Sequence, residues 1–226
     1  AGATLSAGSR QADGSWSLLP GELAGLTLTP PQDFAGTIAL TLRAIATEQA
    51  NGDTATTERA FSVEVAPVVD GASLSGSASG REDTGIPIRA EFGTSPDPSE
   101  AWDTTAILRG VPAGATLSQG IALGGGAWRV DQAELEAGRI AITPPADRDA
   151  PIVLTIEARI LDRDGEGAAR DVEIPLTVQV QAVADAPLAH AGSVTGAEDT
   201  AIALDLSAAL TDRDGSETLS VSLRGL

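Results

Sequence analysis

The sequence contains no cysteine, lysine, methionine or tyrosine, and only three tryptophans and three phenylalanines among its 226 residues. Without cysteine, neither a disulfide nor a cysteine-ligated metal can hold the fold together. An extracellular protein of this composition needs another stabilising element, and a bound metal ion can supply folding free energy. A core that lacks large aromatic side chains must be built from Val, Ile, Leu and Ala, a composition that suits thin β layers.

The charge of the chain has one dominant sign. Its 32 acidic residues outnumber its 14 arginines, which gives a formal net charge of −18. This charge disfavours nucleic acid and anionic membranes as partners, because their phosphates attract basic surfaces. It favours either a role that requires cations or one driven by solubility, since self-repulsion destabilises a compact state. No apolar run approaches the roughly 20 residues of a spanning helix, so we expect no membrane insertion by this segment.

Long stretches of the sequence recur at a spacing of 112 to 117 residues. The hexapeptide AGATLS occurs at 1–6 and again at 113–118. The stretch 14–44 then parallels 126–158, with a tryptophan and a double proline at matching places. Further matches pair 61–72 with 176–187, and 81–88 with 197–204. A repeat of about 115 residues has the size of a domain and is much longer than a solenoid repeat.

The repeats are out of phase with the chain. Residues 1–73 match the C-terminal part of a first repeat, 74–188 form a complete repeat, and 189–226 match the N-terminal part of a third. Joining Leu226 to Ala1 would restore the repeat with a single proline missing. We therefore expect a segment of a longer tandem array, whose partial repeats are completed either by neighbouring copies or by flanking repeats. Neither partial repeat alone can bury its sheet face.

The alternation of apolar and polar residues predicts an all-β fold. It has period two in TIALTLRA, RAFSVEVA, EIPLTVQVQA, AIALDLSA and TLSVSLRG, and turn signals follow every 8 to 15 residues. About seven strands fit into one repeat, which predicts tandem immunoglobulin- or cadherin-like β-sandwich domains arranged end to end, without the disulfide. The segments LLPGELAG and VDQAELEAG can each form one helical turn.

Acidic residues concentrate at the same non-strand positions of each repeat. They fall in the segment after the last strand, the EDT turn, the DxDGSE loop, the PPxD loop and the LDRDG loop. Carboxylate and carbonyl oxygens are the ligands of Ca²⁺, whereas the EF-hand spacing is absent and Mg²⁺ rarely uses all-protein cages. The candidate metal ligands are Asp33, Asp70, Glu82, Asp83, Asp97, Glu100, Asp147, Asp149, Asp162, Asp164, Asp185, Glu198, Asp199, Asp212, Asp214 and Glu217.

Three interpretations of these loops remain open: calcium shared at the junctions between repeats, calcium held within single loops, and plain polar turns, in which Asp is common. The junctional interpretation predicts which acidic residues face one another at each junction. Counting strands places Asp33 and Asp70 opposite Glu82, Asp83, Asp162 and Asp164 at the first junction. It places Asp97, Glu100, Asp147, Asp149 and Asp185 opposite Glu198 and Asp199 at the second.

These motifs resemble the bacterial cadherin-like and immunoglobulin-like tandem repeats of giant surface adhesins, including RTX-type biofilm adhesins. The resemblance rests on GxEDTxIxLxLxAxLTDxDGSE, on GSWxLxPxELAGLTLTPPxDFxGTI and on VxVxVxxVxDAP, and it covers essentially the whole chain. It implies calcium at the junctions, an extracellular location on the surface of a Gram-negative bacterium, and an extender that holds a binding tip away from the cell. The central repeat departs from the pattern at SPDPSE and at Arg148, where the first repeat has Phe34.

Other functions fit the sequence less well. An enzyme is not expected, because the one histidine, His190, lies in a predicted linker and no nucleophile elbow or phosphate-binding glycine loop is present. One alternative is a module that binds a glycan or a surface protein, a ligand that the full protein could also bind elsewhere. Another is a self-assembling fibre subunit in which half-domains of neighbouring copies complete each other. The expected partners are adjacent repeats of the same chain or neighbouring copies.

Overall fold

The computed structural model describes residues 2–164, 167–212 and 215–225. The chain divides into two compact units. The first consists of Ala1–Ala72, Thr94–Trp102 and Ile160–Arg170, and the second of Ser73–Gly93, Asp103–Arg159 and Asp171–Leu226.

The prediction of an all-β protein is confirmed, since strands make up 49% of the chain and helices 4%. The two expected helical turns are present. Residues Pro20–Glu22 form a 3₁₀ turn, and Gln132–Glu136 form a short helix, α1, whose first turn is capped by the Asp131 side chain accepting from the Glu134 N–H. Among the described residues no helix has the length and apolar character needed to cross a membrane.

The strands are between 2 and 14 residues long. Those before residue 73 are β1 (Thr4–Leu5), β2 (Ser9–Arg10), β3 (Trp16–Ser17), β4 (Leu28–Thr29), β5 (Gly36–Thr47) and β6 (Thr54–Val65). Those of the central repeat are β7 (Leu74–Arg81), β8 (Ile86–Phe92), β9 (Glu100–Arg109), β10 (Thr116–Leu117), β11 (Ile121–Gly124), β12 (Ala127–Asp131), β13 (Ile140–Thr143), β14 (Ile152–Asp162) and β15 (Ala168–Gln181). Two more follow, β16 (Leu188–Gly192) and β17 (Asp205–Ala209).

The central repeat forms one large curled sheet of nine strands, more than the seven expected. Its order is β10-β13-β8-β7-β15-β14-β9-β12-β11, and β7 runs parallel to β15, with Ala78 opposite Val178. Strands from the N-terminal part of the repeat (β7, β8 and β9) are therefore interleaved with strands from its C-terminal part. Neither part can form this sheet by itself.

The core of the protein belongs to this sheet. The alternating side chains of β8 and β14 point to one buried face, and Ile86, Ile88, Leu154 and Ile156 have no exposed surface. Leu135 of α1 is also fully buried. By contrast, none of the described residues 2–72 and 188–225 is buried. The apolar core is thus confined to the one repeat whose sequence is complete.

Residues 2–72 contain three separate two-stranded sheets, β1-β4, β2-β3 and β5-β6. By the sequence repeat these correspond to β10-β13, β11-β12 and β14-β15 of the central repeat. They are the pairs that remain when β7, β8 and β9 are taken out of the nine-stranded sheet. The predicted strands TIALTLRA and RAFSVEVA are confirmed as β5 and β6, which pair in register from Gly36↔Val65 to Thr47↔Thr54.

Among the described residues of 188–225 only the β16-β17 pair is formed, the counterpart of β7-β8. The strand predicted at TLSVSLRGL is not formed within the described residues 215–225, so this expectation was wrong. Its counterpart β9 lies between β14 and β12, which both come from the C-terminal part of a repeat. A strand needs partners for its backbone N–H and C=O groups, and here the partner strands are missing.

Candidate metal centres

A first acidic cluster lies in the first unit and consists of Asp33, Asp70 and Asp97. One carboxylate oxygen from each residue lies within 4.8 Å of the others. Together with Asp162 they line a depression of about 380 Å³. Asp33 and Asp70 come from the first partial repeat. Asp97, in the loop before β9, and Asp162, the last residue of β14, come from the central repeat, so the cluster draws on both repeats.

Glu100 fixes the linker next to this cluster. Its Oε1 accepts the backbone N–H of Asp70 at 2.5 Å, and its Oε2 accepts the N–H of Gly71 at 3.4 Å. The hydroxyl of Ser95 also donates to Oε2. The carboxylate of Glu100 is buried. Because these donors are two linker amides and a hydroxyl, the glutamate acts as a clamp that joins the linker to the central repeat.

Asp97 and Asp162 are held by Ser99. The Ser99 N–H donates to Asp97 Oδ1 at 2.8 Å, and the Ser99 hydroxyl lies 2.7 Å from Asp97 Oδ1 and 3.0 Å from Asp162 Oδ1. Asp162 also accepts the N–H of Asp164 at 2.9 Å. Asp97 is 4% and Asp162 5% exposed. Two carboxylates are therefore fixed and nearly buried side by side, an arrangement that costs free energy unless a cation or hydrogen bonds compensate it.

A second acidic cluster lies in the second unit and consists of Asp83, Asp147 and Asp185. Here too one oxygen of each carboxylate lies within 4.8 Å of the others. The N–H of Asp147 donates to Asp83 Oδ1 at 3.2 Å. By the sequence repeat, Asp147 corresponds to Asp33 and Asp185 to Asp70.

The glutamate clamp is repeated at the second cluster. The N–H of Asp185 donates to Glu217 Oε1 at 2.5 Å, and Glu217 is the counterpart of Glu100. The other oxygen, Glu217 Oε2, is buried and finds no hydrogen-bond partner among the described residues. Hence the same linker-to-glutamate contact occurs at both junctions. At the second junction the buried oxygen Glu217 Oε2 has no hydrogen-bond partner among the described residues.

Backbone geometry also repeats at the two clusters. The non-glycine residues of the described chain with positive φ are four aspartates, Asp33 and Asp147 at 55°, Asp83 at 56° and Asp199 at 63°. Aspartate tolerates this left-handed conformation better than most residues because its short carboxylate can bond the local backbone. The PPxD and EDT motifs are therefore two kinds of turn with a fixed shape.

The predicted grouping of the loops was partly wrong. Asp33, Asp70 and Asp162 do come together as expected, but the turn with Asp83 and the loop with Asp97 are exchanged. Strands β7 and β8 are antiparallel, with Leu74 opposite Phe92, so the turn after β7 and the loop after β8 lie at opposite ends of the pair. Asp97 and Glu100 consequently join the first cluster, and Asp83 joins the second.

The remaining predicted ligands do not join a cluster within the described chain. Glu82 is buried, and its Oε1 accepts the N–H of Val183 at 2.6 Å. Asp212 lies 3.2 Å from the Ser216 hydroxyl, whereas Glu198 and Asp199 are exposed. Asp149 and Asp164 belong to neither group of three. Asp214 lies outside the described residues.

Sequence reasoning missed the serines of the SPDPSE loop, which it treated as an eroded motif. Ser95 stands where the third repeat has Asp212, and its hydroxyl donates to Glu100. Ser99 forms an Asx-type turn with Asp97. The spacing D-x-S is a signal for such a turn, because the aspartate side chain accepts from the backbone two residues later.

The electrostatics of the first cluster are unfavourable without a counterion. Among the described residues, no ion pair involves Asp33, Asp70, Asp97, Glu100 or Asp162. Desolvation and, after it, the negative charges of Asp33, Glu100, Asp97 and Asp162 raise the pKa of Asp70. Twice the Ca²⁺–oxygen distance is about 4.6–5.2 Å, so oxygens within 4.8 Å of one another suit this ion. The donor set fits a hard cation.

The raised pKa of Asp70 predicts a pH dependence in the presence of chelator. A proton on Asp70 stabilises the metal-free fold below the unfolded-state pKa of about 3.9, and this contribution is lost as the pH rises through the higher folded-state pKa. We expect the unfolding temperature to fall over this range more for the wild type than for Asp70→Asn, measured by scanning calorimetry. Identical pH profiles of the two proteins would contradict the assignment.

Compared with known proteins, the chain matches no family model, no curated protein and no solved structure. What the chain does must accordingly be argued from its repeats and from the two clusters.

Proposed function

We propose that this chain is a calcium-rigidified extender segment of a bacterial surface adhesin, built of tandem β-sandwich repeats placed end to end. The observation that carries the proposal is that the PPxD aspartate, the linker aspartate and a glutamate that holds the linker recur together at two junctions. Each junction has three converging carboxylates and a glutamate that accepts the N–H of the linker aspartate. Contacts that recur with the repeat period at the linkers connect one repeat to the next. A single ligand-binding site would not recur in this way.

A cation at each cluster would supply the missing positive charge. Asp33, Asp70 and Asp97, with Asp162 beside them, would hold it at the first junction, and Asp83, Asp147 and Asp185 at the second. Since each set includes the linker aspartate, binding would fix the linker at both clusters. At the first cluster it would also join two repeats, because Asp97 and Asp162 belong to the central repeat, whereas Asp83, Asp147 and Asp185 all lie within residues 74–188. A flexible connection would become stiff wherever the cation concentration exceeds the dissociation constant.

The chemistry of the site favours structure over catalysis. In the first cluster the carboxylate of Asp97 accepts from the backbone N–H and the hydroxyl of Ser99, and the ring of His190 lies 3.3 Å from the Asp205 carboxylate on the exposed surface. We therefore propose no enzymatic activity. Extracellular calcium modules bind with dissociation constants of roughly 10⁻⁴ to 10⁻³ M, which suits a rod that stiffens outside the cell. We propose a location at the surface of a Gram-negative bacterium because the motifs resemble those of bacterial surface adhesins.

Calcium titration tests this proposal. In 10 mM calcium, a site with a dissociation constant of about 10⁻⁴ to 10⁻³ M should stabilise the fold by about 1.4 to 2.7 kcal/mol. We expect Asp97→Asn to weaken binding at the first junction by at least about tenfold, because it removes a ligand charge while keeping the side-chain shape. Isothermal titration calorimetry measures the affinity, and calorimetric unfolding measures the stabilisation.

The matched control is Glu58→Gln, which removes an exposed carboxylate that pairs with Arg43 away from the cluster. It should leave calcium binding unchanged, and magnesium at equal concentration should stabilise less than calcium. Small-angle X-ray scattering on the same samples then tests stiffening. A sharply defined maximum dimension in calcium that blurs in chelator supports the extender. An unchanged scattering profile, or no calcium binding, would mean that the clusters are only polar turns.

A further inference from the structure

The first and the last strand of the central repeat lie side by side and run in the same direction. Strand β7 pairs with β15 in parallel, with Ala78 opposite Val178 and the following residues in step as far as Arg81 opposite Gln181. The two strands lie in the middle of the nine-stranded sheet, between β8 and β14. The side chains of Ala78 and Val178 are buried, so one face of the ladder is shielded from water. We call β7 and β15 the terminal pair.

The parallel direction decides how the terminal pair responds to tension along the chain. The preceding part of the chain is joined to the N-terminal end of β7, and the following part to the C-terminal end of β15. In a parallel pair these two points lie at opposite ends of the ladder. Tension therefore pulls the strands past each other along their own axes, and it loads all the hydrogen bonds between them together. A force across the ladder would break the same bonds one after another.

Glu82 extends the terminal pair beyond the last residue of each strand. Its backbone N–H donates to the Gln181 carbonyl at 3.0 Å, and its Oε1 accepts the N–H of Val183 at 2.6 Å. We call these two hydrogen bonds the exit contact. A hydrogen bond to a carboxylate is stronger than one between neutral groups, and Glu82 is only 2% exposed, so water competes little for it. The chain is therefore held at the point where it leaves the sheet.

The EDT turn that carries Glu82 has the same shape in two repeats. The Thr84 hydroxyl donates to the Arg81 carbonyl at 2.8 Å, and the Thr200 hydroxyl donates to the Ala197 carbonyl at the same distance. The aspartate of the motif has a positive φ in both turns. The turn thus fixes the backbone on both sides of the glutamate, and it accounts for a motif whose glutamate belongs to neither acidic cluster.

We propose that the terminal pair is the load-bearing element of the central repeat, and that Glu82 acts as a latch through the exit contact. Tension that reaches the chain after Val183 acts first on the exit contact and only then on the ladder of β15. The strands can slide past each other only after the exit contact has broken. The biological use of this strength rests on the proposed extender role, because an extender is stretched when its tip is bound. The strength itself does not depend on calcium.

Single-molecule force spectroscopy tests the pulling direction, because the chain has no cysteine and handles can be attached at introduced ones. Ser75→Cys with Ala184→Cys loads the terminal pair along its strands and includes the exit contact. Ser75→Cys with Thr177→Cys is the matched geometry, in which the force acts across the ladder. Ser75 and Thr177 both come before the first paired residues, Ala78 and Val178. The three attachment positions are exposed.

At the same constant force we expect the repeat to stay closed at least about tenfold longer in the first geometry, because several hydrogen bonds must break together. Opening should lengthen the chain by about 350 Å, since each released residue extends by about 3.3–3.6 Å. This length identifies the event as opening of the central repeat. Equal lifetimes in the two geometries would overturn the inference. All measurements are made in chelator, so the absence of calcium binding would contradict the proposed function without affecting this result.

Glu82→Ala tests the latch in the same two geometries. In the first geometry we expect it to raise the opening rate at fixed force by about 10- to 150-fold, because the hydrogen bond from Val183 to a carboxylate is lost. Glu82→Gln should raise the rate less, since its amide oxygen can still accept that N–H. Glu91→Ala, which removes an exposed carboxylate of β8, is the matched control and should leave the rate unchanged.

The second geometry separates a latch from a residue that only stabilises the fold. There the ladder opens from the end opposite to the exit contact, so Glu82→Ala should not change the rate at which opening begins. Equal acceleration in both geometries would mean that Glu82 only stabilises the fold, and it would overturn its role as a latch. An unchanged rate in the first geometry would overturn it as well.

Discussion

Replacing Ile156 with alanine should destabilise the protein by about 2–5 kcal/mol, whereas the equivalent truncation Leu42→Ala should cost less than about 1 kcal/mol in the dilute chain. The two residues occupy the same place in the sequence repeat and in the pattern of a long central strand. They differ in how far the side chain is buried.

The difference follows from burial. Ile156 has no exposed surface, and its Cδ1 would lie 2.9 Å from a Cβ built on Gly76, so the side chain fills the space over Gly76 of β7. Alanine would leave a cavity there, which adds to the lost transfer free energy. Leu42 is 47% exposed, so truncating it removes little buried area and leaves no cavity.

Urea unfolding followed by circular dichroism measures both variants, at micromolar protein or below. A large cost at Leu42 that is absent at low concentration and grows with concentration would show that association covers this face. A large cost at every concentration would mean that the face of residues 1–72 is already covered within a single chain, contrary to its exposure here.

Glu100→Ala should release the linker and reduce the calcium binding that we propose for the first cluster. Hydrogen bonds to a charged acceptor contribute about 1.5–3 kcal/mol, and the N–H groups of Asp70 and Gly71 both donate to this carboxylate. We expect hydrogen exchange at these two amides to accelerate by about 10- to 100-fold. Calcium affinity should fall as well, because Asp70 is no longer held beside Asp97.

Glu64→Ala is the control for this variant. Glu64 is an exposed glutamate of β6 whose carboxylate accepts from the Thr37 hydroxyl at 2.7 Å, on the same partial repeat. Its loss should leave exchange at the linker unchanged. Equal acceleration in both variants would show that the linker is not clamped by Glu100. Glu217→Ala repeats the test at the second cluster, where we expect the Asp185 amide to exchange its hydrogen faster.

The sequence alone determined the all-β class and showed that the chain repeats itself, because period-two alternation and recurring motifs are local properties of the chain. It also identified the acidic residues of both clusters as candidates. The two short helical segments were recognised from local sequence patterns too. The serines that fix Asp97 and Glu100 escaped notice because a serine in a proline-rich loop has no distinctive pattern of its own.

Tertiary structure decided how the loops are grouped and which segments form strands. Placing Asp97 beside Asp70, and Asp83 beside Asp147, depends on which end of an antiparallel pair each loop reaches, so one miscounted strand exchanges two loops. The strand expected at 218–225 does not form because its pairing groups belong to β14 and β12 of a complete repeat, far away in sequence. A strand is stabilised by its neighbours, and only the folded arrangement shows whether they are present.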